Sequence, residues 1–187
     1  MLLRHFVALS FIAASSSTLA DSFDINLRDT SAQLQYSAAL GSSTLGKNEM
    51  HLGYLYTSNK NSYADFGILV KDEVSPNAPG LTVGLGIKGV LTKVNANHST
   101  ALALGGQVRY SAPAVPRIGF VGTAYWSPNI MTFGDADRTV ETGARIEYEV
   151  IPQATAYIGY RKINVGLKNA GEAKLEEGAH IGVRLTF

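Results

Sequence analysis

The last eight residues of the chain, His180-Ile-Gly-Val-Arg-Leu-Thr-Phe187, decide its fold. Their hydrophobic side chains occupy every second position, at Ile181, Val183, Leu185 and Phe187. Such alternation is typical of a β-strand with one apolar face, because successive side chains of a strand point to opposite sides. We therefore start from a predicted strand over residues 177–187.

The same alternation recurs from residue 22 onward, and clusters of turn residues separate the runs. We predict strands over the segments 23–28, 32–40, 49–57, 63–71, 81–94, 100–111, 117–127, 139–151, 154–167 and 177–187. Breakers rich in proline, glycine or asparagine lie at 75–80, 111–116, 127–129 and 151–153. No segment shows a helical period, and no linker or repeat divides the chain. These features predict one all-β domain whose neighbouring strands form an antiparallel meander.

The first twenty residues have the three parts of a secretory signal peptide. A short basic head over 1–5 precedes an apolar stretch over 6–14, and a run of small residues ends at Ala20. The alternative is a transmembrane anchor, but nine apolar residues are too few to cross about 30 Å of hydrocarbon as a helix. We therefore predict a signal peptide over 1–20, cleaved after Ala20, and a mature domain over 21–187.

The composition excludes several classes of protein. The chain of 187 residues contains no cysteine, which excludes a disulfide framework and thiolate chemistry. Its formal net charge of +1 does not suit electrostatic binding of nucleic acid, so we predict no nucleic-acid partner. Nineteen glycines, nine tyrosines and seven phenylalanines favour β structure.

Alternation alone is compatible with two opposite barrels. A soluble, lipocalin-like barrel points its apolar residues inward, whereas an outer-membrane barrel points them outward to lipid. The other face of the predicted strands carries charged residues among many glycines and alanines: Asp24, Arg28, Glu49, Asp65, Lys88, Arg109, Glu141, Arg145, Glu147, Arg161 and Arg184. That face would be solvated on a soluble barrel and lumenal in a membrane barrel, so it leaves both alternatives open.

The terminal strand favours the membrane barrel. Barrels delivered to the bacterial outer membrane typically end on an aromatic residue, with alternating hydrophobic residues before it and a polar residue and a glycine further upstream. His180, Gly182, Leu185 and Phe187 match that pattern. Together with the signal peptide and the amphipathic strands, the match predicts an antiparallel up-and-down transmembrane β-barrel in the cell outer membrane. We expect the barrel-assembly machinery to read these four residues as an assembly signal.

The number of strands follows from parity. A barrel inserted by this route has both chain termini on the periplasmic side, which requires an even number of strands. Counting back from Phe187 leaves the strand at 32–40 running towards the periplasm, so another strand must precede it. The segment 23–28 can supply that strand, with an outer turn at 29–31. We predict ten strands, or eight if two weak runs merge.

Aromatic residues of the proposed lipid face lie near strand ends, as in the aromatic girdles of membrane barrels. The lipid-facing aromatic residues are Tyr36, Tyr54, Tyr56, Phe66, Tyr110, Trp126, Tyr148, Tyr160 and Phe187. Lys93 and Lys162 also fall on this face. Because a lysine at the bilayer midplane costs roughly 2–4 kcal/mol, we expect both near the headgroups or beside a bulge.

Several stretches of the sequence together resemble the YfaZ family of small Gram-negative outer-membrane barrels. They are AYWSPNIMTFGDAD at 124–137, ARIEY at 144–148, AYIGYR at 156–161 and HIGVRLTF at 180–187. The resemblance covers most of the mature chain and is strongest from about residue 117 to the end. It implies an outer-membrane barrel and brings no reaction, ligand or cofactor to the chain.

Charged residues of the predicted lumenal face are the main candidate site. They are Arg109, Glu141, Arg145, Glu147, Glu149, Arg161 and Arg184. They could line a charged pore, but a barrel of eight to ten strands is narrow, and inward arginines occupy most of its bore. We therefore favour a salt-bridge network that fills the lumen, with a restricted pore as the alternative.

Three histidines lie outside the predicted signal peptide: His51 and His180 on the lumenal face, and His98 in a turn. A membrane-embedded hydrolase would pair one of them with a serine or a carboxylate at the outer rim. No G-x-S-x-G motif and no metal-ligand spacing accompanies them. We predict no enzymatic activity, no catalytic residue and no cofactor.

Asp135 and Asp137, in the loop 133–138, are weak candidates for binding calcium or the divalent cations that bridge lipopolysaccharide. Two carboxylates fall well short of the oxygen ligands that an all-protein calcium site needs. A polar outer turn is therefore the simpler interpretation of this loop.

These features lead to three hypotheses for function. The first is an outer-membrane barrel with a structural or interaction role and a largely filled polar lumen. The second is a narrow porin-like channel for small solutes, and the third is the membrane-embedded hydrolase. In each case the expected partners are outer-membrane lipid, lipopolysaccharide and the barrel-assembly machinery.

Overall fold

The computed structural model describes residues 21–74, 78–168 and 171–187. The predicted signal peptide over 1–20 and part of the turn predicted at 75–80 lie outside the described residues. The described chain folds into one antiparallel sheet whose two edges pair with each other, which makes a closed barrel. No helix in these segments is long and apolar enough to cross a membrane.

The sheet consists of β1 (Ser22–Arg28), β2 (Ser31–Ser43), β3 (Gly46–Thr57), β4 (Ser62–Glu73), β5 (Leu81–Val94), β6 (Asn97–Tyr110), β7 (Ile118–Ser127), β8 (Thr132–Gly134), β9 (Ala136–Ile151), β10 (Ala154–Leu167) and β11 (Gly171–Thr186). β8 is a short strand that pairs only with the start of β6, beyond the end of β7. The other ten strands pair in chain order, and β1 pairs with β11 to close the wall. The predicted ten-strand barrel is confirmed, and the eight-strand alternative is wrong.

Asp21, the first residue that the structure describes, and Phe187 lie at the same rim of the barrel. The backbone N–H of Asp21 donates to the carbonyl of Phe187 at 3.0 Å, and the N–H of Phe187 donates to the carbonyl of Asp21 at 2.9 Å. We call this end of the barrel the termini rim. The opposite end, which we call the far rim, carries the turns after β1, β3, β5 and β10 and the loop between β7 and β9.

The predicted strands agree with the observed ones except around two far-rim features. β11 begins at Gly171, whereas the prediction placed its start at 177. A bulge opposite Ile163 and Asn164 leaves Leu175 without a cross-strand partner. Leu175 and Glu176 are consequently both buried, which interrupts the period of two that the prediction relied on. The loop after β7 also contains a 3-10 turn and β8, neither of which was predicted.

The outer surface of the strands is apolar, and over much of the wall polar side chains face the lumen. Ile181 is 62% exposed, whereas its neighbour His180 is 7% exposed. Of the aromatic residues predicted to face lipid, all are exposed except the half-buried Tyr36. An apolar outer surface around a polar lumen is the arrangement of outer-membrane barrels, so the soluble-barrel alternative is wrong.

The two lysines of the outer surface avoid the middle of the barrel wall. Lys93 is exposed and lies one residue before the end of β5, at the far rim. The Nζ atom of Lys162 lies 3.5 Å from Oε1 of Glu177, next to the bulge in β10 and β11. Both positions agree with the expectation that a lipid-facing cation lies near the headgroups or beside a bulge.

Candidate functional site

The lumen is the candidate functional site, and glycines make room for its large side chains. A Cβ atom at Gly53 would lie 2.6 Å from Oδ1 of Asp65, its cross-strand partner. A Cβ atom at Gly182 would overlap the ring of Tyr157, which is likewise its cross-strand partner. Because large side chains lie over glycines of neighbouring strands, a narrow barrel can hold several of them at one level.

Towards the termini rim, five charged residues form what we call the arginine cluster: Asp24, Arg109, Arg145, Glu147 and Arg184. Glu147 is almost completely buried and contacts all three arginines. Its Oε1 lies 2.8 Å from Nε of Arg145 and 3.1 Å from Nη2 of Arg184, and its Oε2 accepts a hydrogen bond from Arg109. Oδ2 of Asp24 accepts hydrogen bonds from Nε and Nη2 of Arg184, each at 3.3 Å.

Tyr157 holds this cluster against the barrel wall. Its hydroxyl group donates to Oδ1 of Asp24, and its ring centroid lies 4.8 Å from Cζ of Arg145. The second interaction is a cation–π contact, which is favourable when the cation is largely desolvated. Three of the four carboxylate oxygens of Asp24 and Glu147 accept hydrogen bonds, whereas Oε1 of Glu147 lies at ion-pair distance from Arg145 and Arg184 without hydrogen-bond geometry. The three arginines leave the cluster with one positive charge in excess.

Further along the lumen, Lys88 and Glu141 form a buried ion pair with an Nζ–Oε2 distance of 2.5 Å. The hydroxyl group of Tyr63 donates to the same carboxylate oxygen at 2.7 Å. The ring of Tyr125 lies beneath the lysine, with its centroid 4.2 Å from Nζ. Removing either charge would leave the other buried and uncompensated, so the pair fixes the relation between β5 and β9, which are not neighbours in the wall.

At a similar level, Arg161 joins Glu176 through Nη2, which lies 2.9 Å from both carboxylate oxygens. The Nη1 atom of Arg161 donates to Oε1 of Gln33, and the hydroxyl group of Ser31 donates to Glu176 at 2.8 Å. This network connects β10 and β11 with β2 across the lumen. Arg161, Glu176, Gln33 and Ser31 are all buried, so the loss of one of them would leave its partners without a hydrogen bond.

Beyond these pairs the lumen becomes mainly apolar, and the buried hydroxyl groups there pair with each other, as in Thr92 with Ser99 and Ser127 with Thr132. The far-rim end is filled by side chains that we call the apolar plug: Leu55, Tyr63, Val90, Val94, Ala101, Ala103, Tyr125, Ala136, Ile163, Val165, Leu167 and Leu175. Leu55, Ile163 and Val165 have no exposed surface at all. The plug differs from the polar lumen that the sequence analysis expects. Its signal lies in stretches such as residues 163–167, where the inward residues Ile163, Val165 and Leu167 are apolar and Asn164 and Gly166 lie between them.

Two adjoining cavities remain towards the termini rim. A vestibule of about 480 Å³ opens at this rim between Lys47, Lys71 and the arginine cluster. A smaller inner chamber of about 110 Å³ lies deeper, among the buried polar side chains of the middle of the lumen. Gln35 and Gln107 are among the residues that line both spaces.

Comparison with known proteins identifies the family. The family model described as YfaZ precursor matches residues 3–187. The chain belongs to the YfaZ family. The sequence-based resemblance is therefore confirmed. A search of curated proteins finds no match to this YfaZ chain.

Solved structures similar to the YfaZ chain are outer-membrane porins. The KdgM porin in complex with disordered oligogalacturonate has a TM-score of 0.52 and 9% sequence identity, over 90% of this chain and 99% of that one. The NanC porin has a TM-score of 0.49 and 10% identity, over 90% of this chain and 100% of that one. At such low identity the likeness to KdgM concerns the fold alone, and it agrees with the confirmed outer-membrane barrel.

The predicted charge network of this YfaZ protein is divided among three places in the structure. Arg109, Arg145, Glu147 and Arg184 come together in the arginine cluster, Glu141 pairs with Lys88, and Arg161 pairs with Glu176. Glu149 forms no ion pair with any residue that the structure describes. The network also includes residues that the sequence analysis did not assign to it, namely Asp24, Lys88 and Glu176. The positions of Asp24 and Lys88 could have been predicted, since both fall on the predicted lumenal face.

Two histidines of the YfaZ barrel, His51 and His180, lie in the lumen, and His98 lies at the far rim. Nε2 of His51 lies 3.1 Å from Oδ2 of Asp65, and both residues are buried in the middle of the lumen. His180 is buried too, with its ring edge-on to Tyr157 at a centroid distance of 6.0 Å. His98 is exposed in the far-rim hairpin between β5 and β6. Neither lumenal histidine is therefore at the outer rim that the hydrolase hypothesis requires.

The two aspartates of the far-rim loop have separate surroundings. Oδ2 of Asp135 accepts a hydrogen bond from the backbone N–H of His98 at 2.9 Å. A Cβ atom at Gly166 would overlap Oδ1 of Asp137, so this second carboxylate points towards β10. Among the described residues, no three acidic, histidine or cysteine side chains converge as a metal site would require.

The four residues of the predicted assembly signal lie on both faces of β11. His180 and Gly182 face the lumen, where the glycine accommodates Tyr157. Leu185 and Phe187 face outward and are 46% and 64% exposed. The outward pair is thus free to contact lipid or another protein.

Proposed function

We propose that this protein is an outer-membrane barrel with a closed lumen and a structural or interaction role, delivered by secretion and performing no catalysis. The observation that carries the proposal is the apolar plug. Its central side chains, Leu55, Ile163 and Val165, are completely buried. A close-packed apolar core leaves no space for water, and ions cannot cross it without losing their hydration.

Two buried ion pairs beneath the plug support the same proposal. The Lys88–Glu141 pair and the Arg161–Glu176 pair occupy the middle of the lumen. A conducting pore of this width would need its lining side chains to be hydrated, whereas these are hydrogen-bonded to each other. The outer surface, with its exposed apolar and aromatic side chains, supports contact with outer-membrane lipid and lipopolysaccharide.

The alternative is a narrow porin-like channel for small solutes, and two observations favour it. The vestibule and inner chamber already hollow out part of the lumen. The fold is also shared with the KdgM porin, whose structure was determined with oligogalacturonate. For this chain, conduction would require the plug side chains to move out of the lumen.

Planar-bilayer recording of the purified, refolded protein tests the proposal. We expect no conductance steps from the wild type and discrete steps from Ile163→Ser, because a hydroxyl group and a smaller volume would admit water to the plug. Ile158→Ser is the matched control, since Ile158 lies on the same strand and is 57% exposed on the lipid face. Steps from the wild type would replace the closed barrel with the channel.

We also infer that the outward residues of the terminal strand guide assembly by the barrel-assembly machinery. Phe187→Ala keeps the backbone hydrogen bonds to Asp21 and removes only the exposed ring. We expect less folded protein in the outer membrane with Phe187→Ala and wild-type amounts with Phe187→Tyr. The measurement is the fraction that migrates as a folded barrel on unboiled gels of membrane fractions. Equal amounts for both variants would remove the ring from the assembly signal.

A further inference from the structure

The vestibule and the inner chamber form one cup that opens at the termini rim. Asp24, Gln35, Glu49, Gln107 and Arg145 line both spaces, so the two spaces adjoin each other. Lys88, Glu141 and Arg161 of the buried ion pairs line the chamber, and the apolar plug fills the lumen above it. A solute that enters this cup from the termini rim therefore leaves by the same rim.

The inner end of the vestibule presents guanidinium groups more than carboxylates. The side chains of Arg109, Arg145 and Arg184 line it and are 37%, 23% and 20% exposed, whereas those of Asp24 and Glu147 are 11% and 1% exposed. Each guanidinium has five N–H donors, and the four oxygens of the two carboxylates cannot engage all of them. Donors and an excess positive charge thus remain on the solvent side of the cluster.

The other charges of the vestibule sum to one negative charge, since Lys47 and Lys71 stand against Glu49, Asp72 and Glu73. Glu49 lies beside Lys71, with an Nζ–Oε2 distance of 2.5 Å. Lys47, Asp72 and Glu73 lie nearer the opening of the vestibule, at the ends of β3 and β4. The excess charge is therefore localised on the arginine cluster, where the vestibule meets the inner chamber.

Polar atoms without partners surround the inner chamber. Asn26, Arg161 and His180 line it and are 4%, 7% and 7% exposed. Oδ1 of Asn26, Nε of Arg161 and Nδ1 of His180 are buried, and none has a hydrogen-bond partner among the described residues. Each of these atoms has almost no accessible surface, so a guest in the chamber would contact the other polar atoms of its lining.

We propose that the cup is a binding site for a small monocarboxylate anion, which enters from the termini rim. Its carboxylate contacts the guanidinium groups of the arginine cluster, because planar guanidinium and carboxylate groups match in charge and geometry. Its remaining atoms extend into the inner chamber, whose volume of about 110 Å³ admits only a small group. This proposal goes beyond the closed barrel and assigns a ligand class to the open end of the lumen.

Ligand-observed ¹⁹F NMR with trifluoroacetate tests the site in the detergent-refolded barrel. We expect the trifluoroacetate signal to broaden in the presence of the wild type, with a dissociation constant on the order of millimolar, and acetate to reverse the broadening. Trifluoroethanol, the neutral control, should not broaden. Equal behaviour of the two probes, or broadening that acetate does not reverse, would overturn the proposal.

Two variants locate the site. Arg109→Gln removes the most exposed guanidinium and leaves Glu147 two arginines, so we expect about tenfold weaker binding. Arg117→Gln is the matched control, since Arg117 is exposed at the same rim and outside the vestibule lining, and it should bind as the wild type does. If Arg109→Gln does not fold, Gln107→Glu places a carboxylate in the cup and should abolish binding. Wild-type binding by the folded Arg109→Gln or Gln107→Glu variant would refute the site.

The test of anion binding can fail or succeed independently of the test of the closed barrel. Anion binding is measured without a potential and does not require passage through the plug, whereas the closed barrel is tested by conductance alone. Conductance steps together with intact trifluoroacetate binding would refute the closed barrel and keep the site. If the protein shows no conductance steps and does not bind trifluoroacetate, the closed barrel is kept and the anion site is refuted.

Discussion

The two ends of the lumen are filled in opposite ways by the same strands. On β10, Tyr157 and Arg161 face charged partners, whereas Ile163 and Val165, a few residues later, are completely buried among apolar side chains. Both pairs face inward. The difference teaches that the lumen of a small membrane barrel comprises more than one environment, and that inward orientation alone does not make a residue polar.

The two fillings also differ in what they contribute energetically. The apolar plug gains roughly 1.5–3 kcal/mol for each large side chain that is withdrawn from water, with little demand on geometry. The arginine cluster must offset the desolvation of its charges, so its net contribution is small while the loss of one member is costly. The cluster therefore constrains which strands meet, and the plug seals the far rim.

The largest expected effect is at the centre of the arginine cluster. Glu147→Gln leaves three arginines facing one remaining carboxylate, and we expect the free energy of unfolding to fall by about 3–5 kcal/mol. Glu149→Gln, two positions along the same strand, should change it by less than about 0.5 kcal/mol. Urea unfolding in lipid vesicles, followed by fluorescence of the single tryptophan, measures both. A similar loss of unfolding free energy in both variants would show that Glu147 has no special role in the arginine cluster.

A slightly smaller loss is expected in the plug. Leu55→Ala creates a cavity in a completely buried site and should cost about 2–4 kcal/mol. Leu52→Ala, on the lipid face of the same strand, should cost less, because lipid fills the space. The same urea unfolding, repeated in molar salt, separates the two ends of the lumen. The Leu55→Ala cost should not respond to salt, whereas that of Glu147→Gln should decrease.

An intermediate effect is expected where a glycine makes room for the cluster. Gly182→Ala would force the ring of Tyr157 away from Asp24 and should destabilise the barrel by about 1–3 kcal/mol. Gly122→Ala is the control, because a Cβ atom there meets nothing within 4 Å. Thermal migration shifts on gels rank the two variants. A destabilised Gly122→Ala would show that the loss of glycine itself, and not the overlap, is responsible.

The smallest effect is expected in the far-rim loop, outside both fillings. Asp135→Asn weakens one exposed hydrogen bond to the backbone N–H of His98 and should cost less than about 1 kcal/mol. Since the carboxylate of Asp135 already accepts a hydrogen bond from the backbone of His98, millimolar calcium should leave the unfolding midpoint of the wild type unchanged. A calcium-dependent shift that Asp135→Asn abolishes would instead favour the cation site.

Much of the barrel could be predicted because its signals are local. A period of two along a strand determines which side chains share a face, and that period is present in the sequence of almost every strand. The segment before 177 in β11 is the exception. There the bulge at Leu175 changes which face each residue takes, and a bulge has no signature in the alternation itself.

The sequence by itself determined the class of barrel, the parity of its strands and the outward direction of its apolar face. It did not determine which inward residues meet. Lys88 and Glu141 are separated by 53 positions along the chain, and Arg161 and Gln33 by 128. Such contacts depend on the register and tilt of strands that are not neighbours, which are decided only when the sheet closes. The division between an open charged end and a sealed apolar end is for that reason a property of the tertiary structure.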